Sequence, residues 1–143
     1  METPYLVTIK DGSLTTVTFE ISGVRPRTLN KERSGNRFER AKFTAETRQL
    51  FGLLLKNEQV PKLTGASVSV KLWQKGRLQD TGACVPYVKA AIDGMVDAGM
   101  FIDDTGDHVV SINFYAPERA KYDKIVIKVI GEKYDGVVDS STN

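Results

Sequence analysis

Apolar and polar residues alternate from Tyr5 to Lys10 and again from Thr15 to Ser22, where Val17, Phe19 and Ile21 fall on one side. A period of two predicts a pair of strands, and the intervening Asp11-Gly12 predicts a hairpin turn. From Gly23 to Thr44 no period is visible. This segment holds Pro26, Asn30, Gly35 and Asn36 and reads as a long loop, of the kind that is usually functional or disordered in a compact domain. Helical spacing follows. Thr44 suits an N-cap; Leu50, Leu53 and Leu54 share one face that Phe51 and Leu55 widen; Asn57 and Pro61 end the helix. Ala66 to Trp73 alternates as a strand with Val68, Val70 and Leu72 facing one way, and Gly76 to Gly82 is a polar connection carrying Asp80. A second helix starts near Cys84 to Pro86. Val88, Ala91, Ile92, Met95 and Val96 form its buried stripe, Lys89, Asp93 and Asp97 lie on the other side, and Gly99 fits a C′ cap. Asp103 to His108 reads as a turn, Val109 to Tyr115 as a strand, Glu118 to Asp123 as a polar connection and Lys124 to Ile130 as a last strand. The order ββ-α-β-α-ββ predicts an α+β fold, one small domain over residues 1–135 with two helices on a mixed or antiparallel sheet. Residues 136–143 read as a flexible tail.

Composition narrows the function classes. At 143 residues, 41% hydrophobic and 27% charged, the chain suits a single core. It has no apolar run long enough for a bilayer and no signal-peptide pattern at METPYLVTIKDG, so no membrane association is expected. Cys84 is the sole cysteine, which excludes an intrachain disulfide and a cysteine-rich zinc site and predicts a reducing, cytoplasmic setting. There is no GxxxxGK loop and no GxGxxG turn, against nucleotide-cofactor chemistry. The net charge of +2 is unevenly spread. Residues 25–48 carry eight basic and three acidic side chains, while residues 78–107 carry six acids against Lys89 alone. A basic and an acidic segment of this kind suit phosphate binding and metal binding respectively. They equally suit two solvated surfaces.

The acidic segment places Asp80 just before the second helix, Lys89 and Asp93 one turn apart on it, and Asp103-Asp104 just after it. Mg²⁺ takes oxygen ligands and keeps several waters, so two carboxylates suffice to hold it. The ion lowers the pKa of a bound water and neutralises phosphate charge, and a nearby lysine stabilises developing negative charge. For Asp80 and Asp104 to meet, the strands flanking the helix would have to fold back along it. The same residues also read as a helix ion pair and a polar turn.

The run Lys89-Ala-Ala-Ile-Asp93-Gly-Met-Val-Asp-Ala-Gly99, followed by Asp103-Asp104 and Val109, resembles the helix and following turn of the RusA-type Holliday junction resolvases. The family pattern is Asp-x-Asp-Asn, then Lys-Ala on a helix, an Asp one turn on, Ala-Gly, Asp-Asp and a valine strand. The likeness is close over residues 88–109. Pro26-Arg-Thr-Leu-Asn30 is similar to the family's early Pro-x-Ser-x-Asn segment, and the element order agrees from about residue 16 to 130, leaving the N-terminal hairpin strand as an addition. The resemblance implies a homodimer that binds branched DNA and cuts four-way junctions with Mg²⁺ or Mn²⁺ in recombination and repair, in a bacterial or phage-infected cell. It implies Asp104 as a metal ligand, Lys89 as the catalytic lysine, Asp93 as a further acidic position and Asp80 as the first aspartate of the Asp-x-Asp pair. Arg25, Arg27, Asn30, Lys31, Arg33, Arg37, Arg40 and Lys42 would hold DNA phosphates. A C₂ dimer would offer two equivalent sites to a nearly two-fold junction. Two departures stand out. Gly82 occupies the place of the second aspartate, and three extra residues precede Lys89. Asp103 or Asp93 would then supply the lost ligand, or the protein would bind branched DNA with weak or lost catalysis.

The remaining chemically interesting residues carry no function by their placement. His108 and Cys84 have no sequence partners for catalysis. Trp73 and Phe114 sit in strand patterns as core candidates, and Tyr5, Tyr87, Tyr115 and Tyr122 read equally as packing or base-stacking groups.

Overall fold

The computed structural model describes residues 4–26, 28, 37–103 and 105–134. The elements are β1 (Tyr5–Lys10), β2 (Thr15–Ser22), α1 (Arg37–Asn57), β3 (Leu63–Gln74), α2 (Val85–Asp97), β4 (Val109–Phe114), β5 (Glu118–Arg119) and β6 (Lys124–Lys133). They make an α+β domain with one mixed six-stranded sheet in the order β1-β2-β6-β3-β4, β5 pairing beside β3. The hairpin and the expected strands and helices are all present.

Strand alternation sets the register. Val17, Val129 and Val68 stand side by side across β2, β6 and β3, as do Phe19, Ile127 and Val70, and Ile21, Ile125 and Leu72. All nine are buried. Slipping any one of these strands by a single residue would turn its share of this layer to solvent, so the pairing is strongly specified. The opposite face carries Thr18, Lys128, Ser69 and Asn113 in one row and stays partly or fully exposed.

Both helices close the buried face. α1 turns Thr47, Phe51, Leu54 and Leu55 inward, a helical stripe at i, i+4, i+7 and i+8. Phe51 meets Phe19 of the sheet edge-on at 5.4 Å between ring centroids and Tyr87 of α2 at 6.2 Å. α2 stops in a Schellman turn: Gly99 (φ 87°) donates to the Val96 carbonyl and Met100 to the Met95 carbonyl. Met100 is buried there, and its own carbonyl accepts from Leu63 N at the start of β3 (2.8 Å).

The main correction concerns α1. It begins by Arg37, so Arg37, Arg40 and Lys42 are helical rather than part of a loop, and Thr44 is no N-cap. The first two turns, RFERAKF, consist mostly of good helix formers and are exposed on most sides. They therefore carry no apolar period to read. The connection after β4 also contains β5, whose two residues pair with Trp73 and Gln74. Trp73 is not core: it lies on the uncovered face with Lys124 Nζ 5.0 Å and Lys71 Nζ 5.9 Å from its ring centroid.

The two helices cross where Gly94 meets the α1 backbone. A Cβ on Gly94 would lie 2.4 Å from the Arg48 carbonyl oxygen, whereas one on Gly52 would be 3.9 Å from the Gly94 carbonyl oxygen. Gly94→Ala should therefore destabilise the fold by about 1–3 kcal/mol through overpacking. Gly52→Ala should stabilise it by up to about 1 kcal/mol through helix propensity. Thermal midpoints of the two variants moving in opposite directions is the expected result.

Candidate functional site

The β3-α2-β4 unit carries the acidic segment. β3 and β4 run parallel, with Ala66 beside Val109 and Val70 beside Phe114. Asp80 follows the C-terminal end of β3, through a turn in which Ala83 N donates to the Asp80 carbonyl (3.0 Å) and Val85 N to that of Gly82 (3.2 Å). The chain then runs back along α2. Asp103 and the stretch from Thr105 to His108 lie at the other end, where Gly65 N and Ala66 N of β3 donate to the carbonyls of Asp107 and His108. A 13-residue helix is about 20 Å long, while two ligands of one Mg²⁺ each lie about 2.1 Å from it. One subunit therefore does not bring Asp80 and Asp103 to a common ion. Asp104 lies outside the described residues. Among the described residues there is no group of three His, Cys, Asp or Glu side chains placed to hold a metal.

The individual groups have distinct surroundings. Asp80 and Lys89 are exposed near the start of α2. Asp93, half-buried in the middle of the helix, lies close enough to Arg48 of α1 to act on its charge. Arg48 itself makes a two-pronged pair with Asp97, Nε to Oδ2 at 3.0 Å and Nη2 to Oδ1 at 2.8 Å. These hydrogen bonds, then the Asp97 charge, raise the guanidinium pKa. Asp103 Oδ1 accepts from both the backbone N–H and the hydroxyl of Thr105, which holds its carboxyl below the usual range. That oxygen is engaged in shaping the turn.

Gly82 has φ 81°, a conformation that L side chains rarely adopt. The turn that feeds α2 therefore favours glycine at the position where the resemblance expects a carboxylate.

The candidate phosphate-binding residues divide into groups. Arg25 is a brace: its guanidinium donates to the carbonyls of Lys75 (3.2 Å) and Arg77 and to Asp123 Oδ1 (3.4 Å). Beside it, fully buried Gln74 exchanges hydrogen bonds with Gln79, whose amide reaches the Pro26 carbonyl at 2.9 Å. Arg37, Arg40 and Lys42 project from α1. Arg27, Asn30, Lys31 and Arg33 lie outside the described residues. The sequence reading did not single out the later basic residues of α1, Arg48 as a partner of Asp97 and Lys56. Their spacing at i, i+8 along the helix is the signal that would have found them.

His108 Nδ1 lies 3.0 Å from Thr64 Oγ1, and its ring meets that of Tyr134 edge-on, a structural setting. Cys84 is buried, and desolvation pushes its thiol up to about 11. No described helix is long and apolar enough to cross a membrane.

No family model and no curated protein matches the chain. Among solved structures, the crystal structure of the hydrogenase maturation protein HypE aligns at a TM-score of 0.36 and 11% identity. The alignment covers 88% of this chain and 33% of that one, so the chain spans about a third of that protein's length. A likeness this distant carries no argument about chemistry.

The Cys84 environment predicts alkaline sensitivity. Between about pH 9 and 11 the unfolded thiol is ionised while the folded one keeps its proton, so stability should fall as pH rises through that window. Denaturant midpoints measured at stepped pH should show a loss of about 2 kcal/mol over it. Cys84→Ala should remove most of that slope, leaving the part due to Tyr87, whose hydroxyl burial also pushes upward.

Proposed function

We propose that this chain is a RusA-like, Mg²⁺- or Mn²⁺-dependent endonuclease for four-way DNA junctions, active as a homodimer in which each cutting site is shared between two subunits. The motif over residues 88–109 supports the chemistry. The single observation that carries the shared site is the placement of Asp80 and Lys89 towards one end of α2 and of Asp103 and its neighbours at the other. A two-fold axis across the middle of α2 sets two copies antiparallel, so that each start meets the partner's end. The Asp80 side of one subunit then faces the Asp104 segment of the other. A bound divalent ion supplies phosphate neutralisation and an acidified water. From this chain, the exposed Lys89 ammonium would balance charge on the scissile phosphate, and the basic side chains of α1 would hold the arms.

A second reading is favoured by Gly82. Its positive φ disfavours the expected carboxylate, and a protein with that ligand lost would bind branched DNA while cutting weakly or not at all.

The shared-site reading is tested by mixing. Asp80→Asn and Asp104→Asn homodimers should each bind a synthetic four-way junction yet leave it uncut. Heterodimers of the two, co-expressed with different tags, contain one intact site and should nick a single strand. Heterodimers that form and stay inert would place each site within one subunit. Wild-type protein that shifts the junction on a gel but cuts nothing with Mg²⁺ or Mn²⁺ would select the second reading.

A further inference from the structure

The outward side of α1 holds an open groove of about 890 Å³ whose far wall is the end of α2 at Asp97 and Ala98. Its α1 lining runs along one helical side from Arg37 to Lys56, in adjacent pairs that recur every four residues. Two features mark this face. First, its floor is low, because Ala41 and Ala45 present only methyl groups between the cations. Second, its charge is largely uncompensated. Of the four basic lining residues, Arg48 is paired with Asp97, while Arg37, Arg40 and Lys56 have no ion pair among the described residues. Arg40 Nε is buried without a hydrogen-bond partner, a costly arrangement that a shift of the side chain towards a phosphate oxygen would relieve.

We propose that this face of α1 is a track for the phosphodiester backbone of a DNA duplex arm, extending the contact surface from Arg37 and Arg40 along the helix to Lys56. The inference rests on the reading of the chain as a branched-DNA protein and identifies where an arm lies. Nineteen helical steps from Arg37 to Lys56 span about 28 Å, or roughly eight base pairs at 3.4 Å per pair. Charge complementarity selects the occupant. A second copy seated face to face on this groove would oppose unpaired cations to unpaired cations. A polyanion gains from each of them by counterion release. The Arg48–Asp97 pair fixes the wall and keeps α2's end in place.

The test measures binding of the full-length protein to a fluorescent linear duplex and to a four-way junction between about 50 and 200 mM salt. Lys56→Gln and Arg40→Gln should each lower the salt slope by roughly 0.9. The double variant should weaken duplex binding on the order of tenfold, equally for unrelated sequences. Ala45→Glu, which puts a carboxylate on the floor, should weaken it further. Lys56 is an exposed side chain with no ion pair among the described residues, so Lys56→Gln keeps the test decisive if another variant folds poorly. Unchanged affinity and slope for Lys56→Gln and Arg40→Gln would overturn the track. So would a switch from dimer to monomer in Ala45→Glu with duplex binding intact, which would make the groove a self-association face. The two readings fail separately. Variants that lose duplex binding in a protein with no junction preference would retain the track and remove the junction assignment. Junction cutting that persists with unaltered arm binding would remove the track alone.

Discussion

The parallel pairing of β3 with β4 governs everything that α2 carries. A parallel connection needs a crossover that returns the chain the full length of the strand, and α2 is that return. Residues before and after it are thereby held at opposite ends of the domain. The inward stripe of α2 from Tyr87 to Met95 locks onto the sheet and α1. That packing leaves Lys89 and Asp97 exposed on the outer side. The separation of the segment's carboxylates thus has its origin in topology.

The second constraint is the contact between the helices. Gly94 brings the α2 backbone against that of α1 near Arg48, close enough for Arg48 to grip Asp97 one turn on. This fixes the wall of the groove on the outer face of α1. Arg37, Arg40 and Lys56 have no ion pair among the described residues, so the basic surface keeps its charge. The absent side chain in α2 and the electrostatics of α1 are two aspects of one packing arrangement.

Much of the fold was legible in the sequence because one side of each strand is buried. Val17, Phe19 and Ile21, and Val68, Val70 and Leu72, alternate with polar residues and could be read directly. α2 was legible for the same reason, its apolar stripe and Gly99 marking body and end. The start of α1 was not, since Arg37 to Lys42 bury little and only the tendency of Arg, Glu, Ala and Lys to form helix marks them. Trp73 was misassigned because an aromatic residue on the open face of a sheet follows the same period as one in the core. The separation of Asp80 from Asp103 to opposite ends of α2 was not legible at all. It depends on whether two distant strands run parallel or antiparallel, and no local pattern near α2 encodes that.

Cys84 has a practical consequence. As the chain's one thiol, enclosed beneath the first turn of α2 and held protonated at neutral pH, it leaves the surface blank to maleimide and disulfide reagents. A cysteine introduced at any exposed position would then be the sole labelling point. Dyes or spin probes attached there would report inter-subunit and protein–DNA distances without background from the native sequence.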